Sequence, residues 1–421
     1  MPFRRRDNPR CIAGLDIGSH MIRLAVGKVE ADPTGRLSFQ IIGAAVVPSV
    51  GIQHGVVSSV EELISALSSV LEQAERVVGF PLGSVWVGVN GPYVTTQDSK
   101  GVVAIAKTNG EITPEDTLRA VEAARTVPMP LNYDVLHVLP RSFTVDGQTG
   151  IKDPIGMTGM RLEVDTKLVY GMTTHIKNIT RAVYRTGVDI DQVVLSILAA
   201  GEAVATPRQR DLGVAVVNIG TTSSSMVVYE EGMTIHVAMI PIGSQHITND
   251  IAMGLRTSID VAEEVKKQFG HAVPRDVSKK EIIELGNLGG DPRDTASRHY
   301  VAQIIEARVD EICEKVQKEL SKIGKSGLLP GGVVFTGSGA GIGGLTDAAK
   351  RVLELPSSLG YIFDMTSIAD VGLDLGFTTA VGLVKWGARI DTASDRGRHR
   401  AFYRAGALWD RLQRAKAWLM P

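Results

Sequence analysis

The chain has 421 residues, of which 44% are hydrophobic and only 5% aromatic, with 45 glycines and a formal net charge of −1. That length asks for two to four subdomains, and the glycine-rich, aromatic-poor mix suits an α/β protein with many tight turns better than an all-β sandwich. The near-neutral charge removes any general case for nucleic-acid binding. Cys11 and Cys313, without a CxxC or a His/Cys cluster, exclude a disulfide framework and a zinc site and read as ordinary thiols of a reducing cytosol. The basic start is followed by an apolar run that Asp16 interrupts, which does not read as a secretory signal. The longest uncharged apolar stretch, residues 193–201, is far short of the ~20 residues that span a bilayer, so the chain is expected to meet a membrane only by lying on it.

In chain order, "CIAGLDIGSHMIRLAVGKV" predicts a strand, a Gly turn and a second strand. The stretch 58–79 then carries Leu63, Leu67, Val70, Leu71 and Ala74 at helical spacing behind an N-cap at Ser58 or Ser59. From 84 to 168 the character changes to short strands, one helix over 114–126 and turns such as "DGQTGIKDP", which predicts a compact α+β insertion. A second strand–turn–strand of the same design follows at "LGVAVVNIGTTSSSMVVYEEG", and one design used twice suggests a duplicated α/β core. Next come a helical stretch at 244–270, a polar region with "LGNLGGDPRD" and a long helix at about 295–323. A buried strand then enters the Gly-rich turn "TGSGAGIGG". Residues 391–400 read as a charged linker.

The three Gly-rich turns suggest phosphate binding, because backbone N–H groups in tight turns point at an anion and only small residues let phosphate approach. At the first turn Asp16 is suited to hold Mg²⁺ through water, Gly18 and Ser19 to donate to phosphate, and Arg23 to add charge. None of the three is a Walker A loop.

These segments resemble the actin-like bacterial cell-division family FtsA, within the actin/Hsp70/sugar-kinase superfamily. The resemblance runs nearly end to end. It is strongest in "GLDIGS", "GIKDPIGMTGMRLEVD", "IPIGSQHITNDIAMGLRTSIDVAEEVKKQFG", "VVFTGSGAGIGGL" and "FTTAVGLVKWG". It implies two α/β lobes with ATP and Mg²⁺ between them. Residues 11–83, 169–205 and 370–390 would form the first lobe, and 206–369 the second, with 244–325 as its smaller outer part. The inserted subdomain would span 84–168. It implies that Asp16, Gly18 and Ser19 form the first phosphate loop and Asn218, Gly220, Thr221 and Thr222 the second. Glu263 and Lys266, one turn apart on a helix face, would meet the ribose, and Gly337, Ser338 and Gly339 the adenosine.

Departures from the family pattern bear on chemistry. The family usually has Asp where Asn218 stands, glycines at Thr221 and Thr222, Asp at Ser225, and Ser-Lys at His20-Met21. Asn lacks the carboxylate charge that orients hydrated Mg²⁺, and β-branched threonine crowds a phosphate. The expectation is therefore nucleotide binding with weak or absent hydrolysis. His137, His175, His236 and His246 are isolated and read as core or surface residues.

Over 401–421 a helical wheel places Phe402, Ala405, Leu408, Trp409, Leu412, Ala415 and Leu419 on one arc, with Arg404, Arg411 and Arg414 beside and opposite it. Trp418 falls off the arc, and Lys416 falls inside it, where its stem can snorkel. A basic helix with Trp, Phe and Leu is the pattern of an interfacial anchor for anionic lipid. The resemblance implies three further partners: the C-terminal tail of the tubulin-like protein FtsZ, further copies of the chain in a filament, and other division proteins. Arg293 and Arg298 are candidate contacts for the acidic tail. Two alternatives share the fold, an actin-like adaptor of type IV pilus assembly and a small-molecule kinase. The terminal helix speaks against the first and the altered second loop against the second.

Overall fold

The computed structural model describes residues 10–31, 37–53, 55–107, 109–129, 131–291, 293–367 and 374–395. The helix expected at 401–421, with Phe402, Trp409, Arg411, Leu412, Arg414, Lys416, Trp418 and Leu419, lies outside them.

Two sheets with the same strand order frame the molecule. The first runs Asp189–Leu195, Ser84–Val89, Arg10–Ile17, Met21–Ala31, Leu37–Pro48, with the short Thr366–Ser367 added at its edge. The second runs Ser357–Leu359, Val333–Thr336, Val214–Ile219, Ser224–Glu230, Met233–Ile240. In each, three consecutive strands form an antiparallel meander, and two later strands add in parallel beside the first strand of that meander. Parallel pairing requires a crossover, and the chain uses those crossovers to place helices and the insertion. The run "VAVVNI" is buried at every position but Asn218, as a strand covered on both faces demands.

Helices Ser196–Val204 and Thr378–Asp395 pack between the sheets. The first is apolar all round and buries every residue except Glu202, the mark of a helix without a solvent face. The two cross so closely that a Cβ on Gly382 would lie 2.0 Å from the Ala199 carbonyl oxygen. One hydrophobic core therefore runs from the first sheet through these helices to Val214, Val216, Val227 and Val334 of the second. A second core lies on the far face of the second sheet, under helices Ser244–Leu255, Ile259–Phe269, Arg298–Lys322 and Leu345–Leu353.

The inserted subdomain is an antiparallel sheet in the order Val94–Ala104, Arg161–Met172, Tyr133–Val145, Gln148–Ile151. Helix Pro114–Ala124 starts at a capping box between Thr113 and Asp116 and covers a small separate core of Ile112, Phe143, Val145, Leu162 and Val164.

Two expectations need correction, and the helical stretch at 244–270 is refined. Ser84–Val89 is not part of the insertion but a central strand of the first sheet, parallel to both Arg10–Ile17 and Asp189–Leu195; the insertion begins after it. The stretch 244–270 is two helices, because Arg256 turns left-handed at φ 54° and Ser258 caps the second helix by accepting from the Val261 N–H. The residues expected to start a linker at 391 continue the Thr378–Asp395 helix.

Candidate functional site

The two hairpin turns face each other across a cleft, and their backbones match. The Gly18 N–H donates to the Met21 carbonyl at 3.1 Å, and the Gly220 N–H to the Ser223 carbonyl at 3.1 Å. A Cβ at Gly18 would stand 2.6 Å from the Met21 oxygen and one at Gly220 2.7 Å from the Ser223 oxygen, so each turn tolerates only glycine. The third loop lies against the second hairpin. Gly337 follows strand Val333–Thr336 at φ 85°, and a Cβ there would sit 2.1 Å from Asn218 Oδ1.

The correspondence extends to the side chains. In the first hairpin Asp16 pairs in register with Arg23, and in the second Asn218 pairs with Ser225. Ser196 Oγ, at the start of one central helix, donates to Asp16 Oδ1 at 3.5 Å. Asn218 Nδ2 donates to Thr379 Oγ1, at the start of the other, at 3.4 Å. Each lobe thus ties its first strand to the mouth of a central helix.

Charge separates the two. Burial pushes the Asp16 carboxyl up to about 6, against the opposing pull of the Arg23 guanidinium and the Ser196 bond. Arg23 lies 5.8 Å from the Phe377 ring centroid and close against Gly376. Its Nε is buried without a hydrogen-bond partner, and so is Oδ1 of Asn90. Buried polar atoms of this kind are expensive unless a ligand or water meets them.

The three loops line one cavity of about 80 Å³. Among the expected site residues it brings together Asp16, Gly18, Ser19, Arg23, Asn218, Gly220, Thr221, Thr222, Gly337 and Ser338. Gly339 is packed behind the wall, against Ile219 and Ser244. Glu263 and Lys266 do share a helix face, but they are bound to each other and to Thr248. Lys266 Nζ donates to Glu263 Oε2 at 2.6 Å and to Thr248 Oγ1 at 2.7 Å, and the Thr248 hydroxyl donates to the same carboxylate at 2.6 Å. Burial raises the Glu263 carboxyl, and the Lys266 and Thr248 hydrogen bonds outweigh it, leaving the group below the usual range. Across the cleft the Ser19 and Thr222 hydroxyls are 3.0 Å apart and hydrogen-bonded.

Sequence reasoning missed Asn90, Ser196, Gly376 and Thr379, which also line the cavity. Ser196 carried a signal, a hydroxyl inside the longest apolar run, as did Thr379 in "FTTAVGL"; Asn90 carried only a strand-ending Asn-Gly. The four isolated histidines are engaged elsewhere. His137 Nε2 accepts from the Leu195 N–H at 2.9 Å, with burial pushing its pKa down to about 4. His175 stacks on Tyr93, His236 pairs with Glu319, and His246 caps its own helix. Arg298 is held by the Phe269 carbonyl at 3.0 Å and Glu281 at 2.7 Å, whereas the Arg293 side chain is 93% exposed.

Two sheets of one strand order, a duplicated Gly turn and a shared cleft define an actin-like fold. Solved structures agree at the level of fold. A type IV pilus biogenesis complex, PilM–PilN, aligns over 90% of this chain and 98% of its own at a TM-score of 0.63 and 16% identity. MreB5 of Spiroplasma citri bound to AMPPNP aligns over 93% and 99% at 0.54 and 12%.

Family models narrow the class. "Cell division protein FtsA" matches residues 215–382, and "SHS2 domain inserted in FTSA" matches 91–170, the insertion as the sheet pairing bounds it. The FtsA of Bacillus subtilis is 39% identical over 387 residues, covering 91% of this chain and 84% of the relative. That of Escherichia coli is 32% identical over 385 residues, covering 90% of both. The chain belongs to the FtsA family of cell-division proteins. Among the described residues no helix is long and apolar enough to cross a membrane.

Proposed function

We propose that the chain binds Mg²⁺·ATP between its lobes, assembles into actin-like filaments and tethers FtsZ filaments to the cytoplasmic face of the cell membrane at the division site. The C-terminal amphipathic helix would make the membrane contact. The observation that carries the nucleotide part is the pair of facing Gly turns, each open only to a group without a Cβ, around a cavity with an unpartnered arginine nitrogen.

The donor set fits a nucleotide's phosphates. Arg23 supplies the cation, Ser19, Thr221 and Ser338 supply hydroxyls, and the turns supply N–H groups. It fits Mg²⁺ only in the manner of a hydrated ion held by phosphate and one carboxylate. Asp16 is that carboxylate, and no cluster of three or more His, Cys, Asp or Glu occurs among the described residues. Mg²⁺ bound there would neutralise phosphate charge. Asp16 would orient its water, Arg23 would balance the anion, and Asn218 would hold the second strand to Thr379 without adding charge. With no second carboxylate among the described residues that line the cleft, turnover is weak or absent, and the nucleotide serves to clamp the lobes. Arg293, exposed beside the "LGNLGGDPRD" turns, is the better placed of the two arginines for an acidic FtsZ tail.

Liposome co-sedimentation tests the tether. Full-length chain is expected to bind anionic vesicles and bring FtsZ with it, and a truncation at Asp395 to do neither. Equal sedimentation of both would sink the anchor. Titration with ATP and with ATP plus Mg²⁺ tests the cleft, and absence of binding under both conditions would remove the nucleotide reading.

A further inference from the structure

We infer that Thr222 is an internal competitor for the phosphate site, a latch that closes the cleft through Ser19 when no nucleotide is present and must be broken for one to enter. The inference rests on the nucleotide reading above but concerns a contact between two of this chain's own side chains.

The two hydroxyls come from loops more than 200 positions apart, one in each lobe, and meet at 3.0 Å. Each hydroxyl has one proton to donate. While they bond to each other, one of those two protons is committed across the cleft and is lost to any phosphate oxygen. The cavity they close is about 80 Å³, well below the several hundred Å³ of an ordinary small-molecule site. Glycine at position 222 leaves nothing to reach across. The turn itself does not need the threonine, because its closure comes from Gly220 and Ser223 backbone atoms. The second turn is also anchored from behind, where the Ser244 and Gln245 N–H groups donate to the Gly220 and Thr221 carbonyls at 2.9 and 2.8 Å. A fixed loop carrying a hydroxyl aimed at the opposite loop holds the lobes together in place of a ligand.

A latch of this kind lowers apparent affinity by the fraction of molecules in which it is closed. One neutral hydrogen bond corresponds to about a two- to tenfold effect. Thr222→Val keeps the shape and removes the bond; Thr222→Gly removes both. Both variants are expected to bind ATP about two- to tenfold more tightly than the parent by calorimetry. In nucleotide-free protein, amide hydrogen exchange is expected to rise in both loops, residues 18–21 and 220–223, and to be unchanged in the inserted subdomain. Unchanged or weaker ATP binding by Thr222→Val would overturn the latch and mark Thr222 as a phosphate ligand or a bystander. If no form binds ATP, the nucleotide reading fails. The exchange data then decide the latch alone, with unchanged exchange at both loops counting against it.

Discussion

The two phosphate hairpins have one backbone and two chemistries. Both turns close with a glycine N–H on the carbonyl three residues ahead at 3.1 Å, and both tie a polar strand residue to the start of a central helix. The first pairs a half-buried acid with an arginine, and the second pairs an amide with a serine. The backbone repeat is what a tight turn beside a shared cleft requires, since any Cβ at its glycine meets a carbonyl. The side chains are under no such steric demand. The acid stands where an arginine in register can balance it, and a neutral amide stands where none is opposite.

If the backbone repeat is structural, Gly18→Val and Gly220→Val should damage the fold alike, each by about 3 kcal/mol or more from overpacking against a backbone oxygen. Urea denaturation measures this, and a marked asymmetry between them would break the equivalence. The next largest effect should come from Asp16→Asn in nucleotide-free protein. A free aspartate titrates near 3.8, and this one in the fold at about 6. The folded state therefore binds the extra proton between those values. Stability from this group is fully present below about pH 4, falls as pH rises to about 6, and is flat above. Asp16→Asn should remove that slope and stabilise the protein at pH 7.5 by about 2–3 kcal/mol, while weakening Mg²⁺-dependent ATP binding.

The reverse exchange, Asn218→Asp, places an acid opposite Ser225 with no arginine in register. It should destabilise by about 1–2 kcal/mol, as a partly buried carboxylate without a cation does. It should also raise phosphate release about tenfold if charge is what the second loop lacks. Unchanged release would place the deficit in Thr221 and Thr222 instead. The smallest effects belong to the outer part of the second lobe. Arg298→Ala should cost about 1 kcal/mol through its bonds to Glu281 and Phe269. Arg293→Ala should change stability by less than about 0.5 kcal/mol and register only in binding of the FtsZ tail.

Much of this arrangement was legible in the residues. Both Gly turns, the helix capped at Ser58 or Ser59 and the loop at Gly337 announce themselves within a few positions, and their backbone geometry follows. Ten of the residues expected to bind nucleotide do line one cavity: Asp16, Gly18, Ser19, Arg23, Asn218, Gly220, Thr221, Thr222, Gly337 and Ser338. Ser196 and Thr379 left only the trace of a hydroxyl in an apolar segment, and Asn90 and Gly376 less, because each joins the cavity from an element whose own spacing says nothing about it.

The sequence by itself determined the duplicated hairpins, the helical faces and the family, since turn chemistry, periodicity and motif are local properties. Only the tertiary structure decided that Ser84–Val89 belongs to the first sheet, because its partners lie about 70 and 100 residues away and parallel pairing leaves no local trace. It likewise decided that Lys266 and Glu263 are committed to Thr248, and that Ser19 meets Thr222. The first contact joins two neighbouring helices of the second lobe, whereas the second joins loops of different lobes and exists only once both have packed on the two crossing helices.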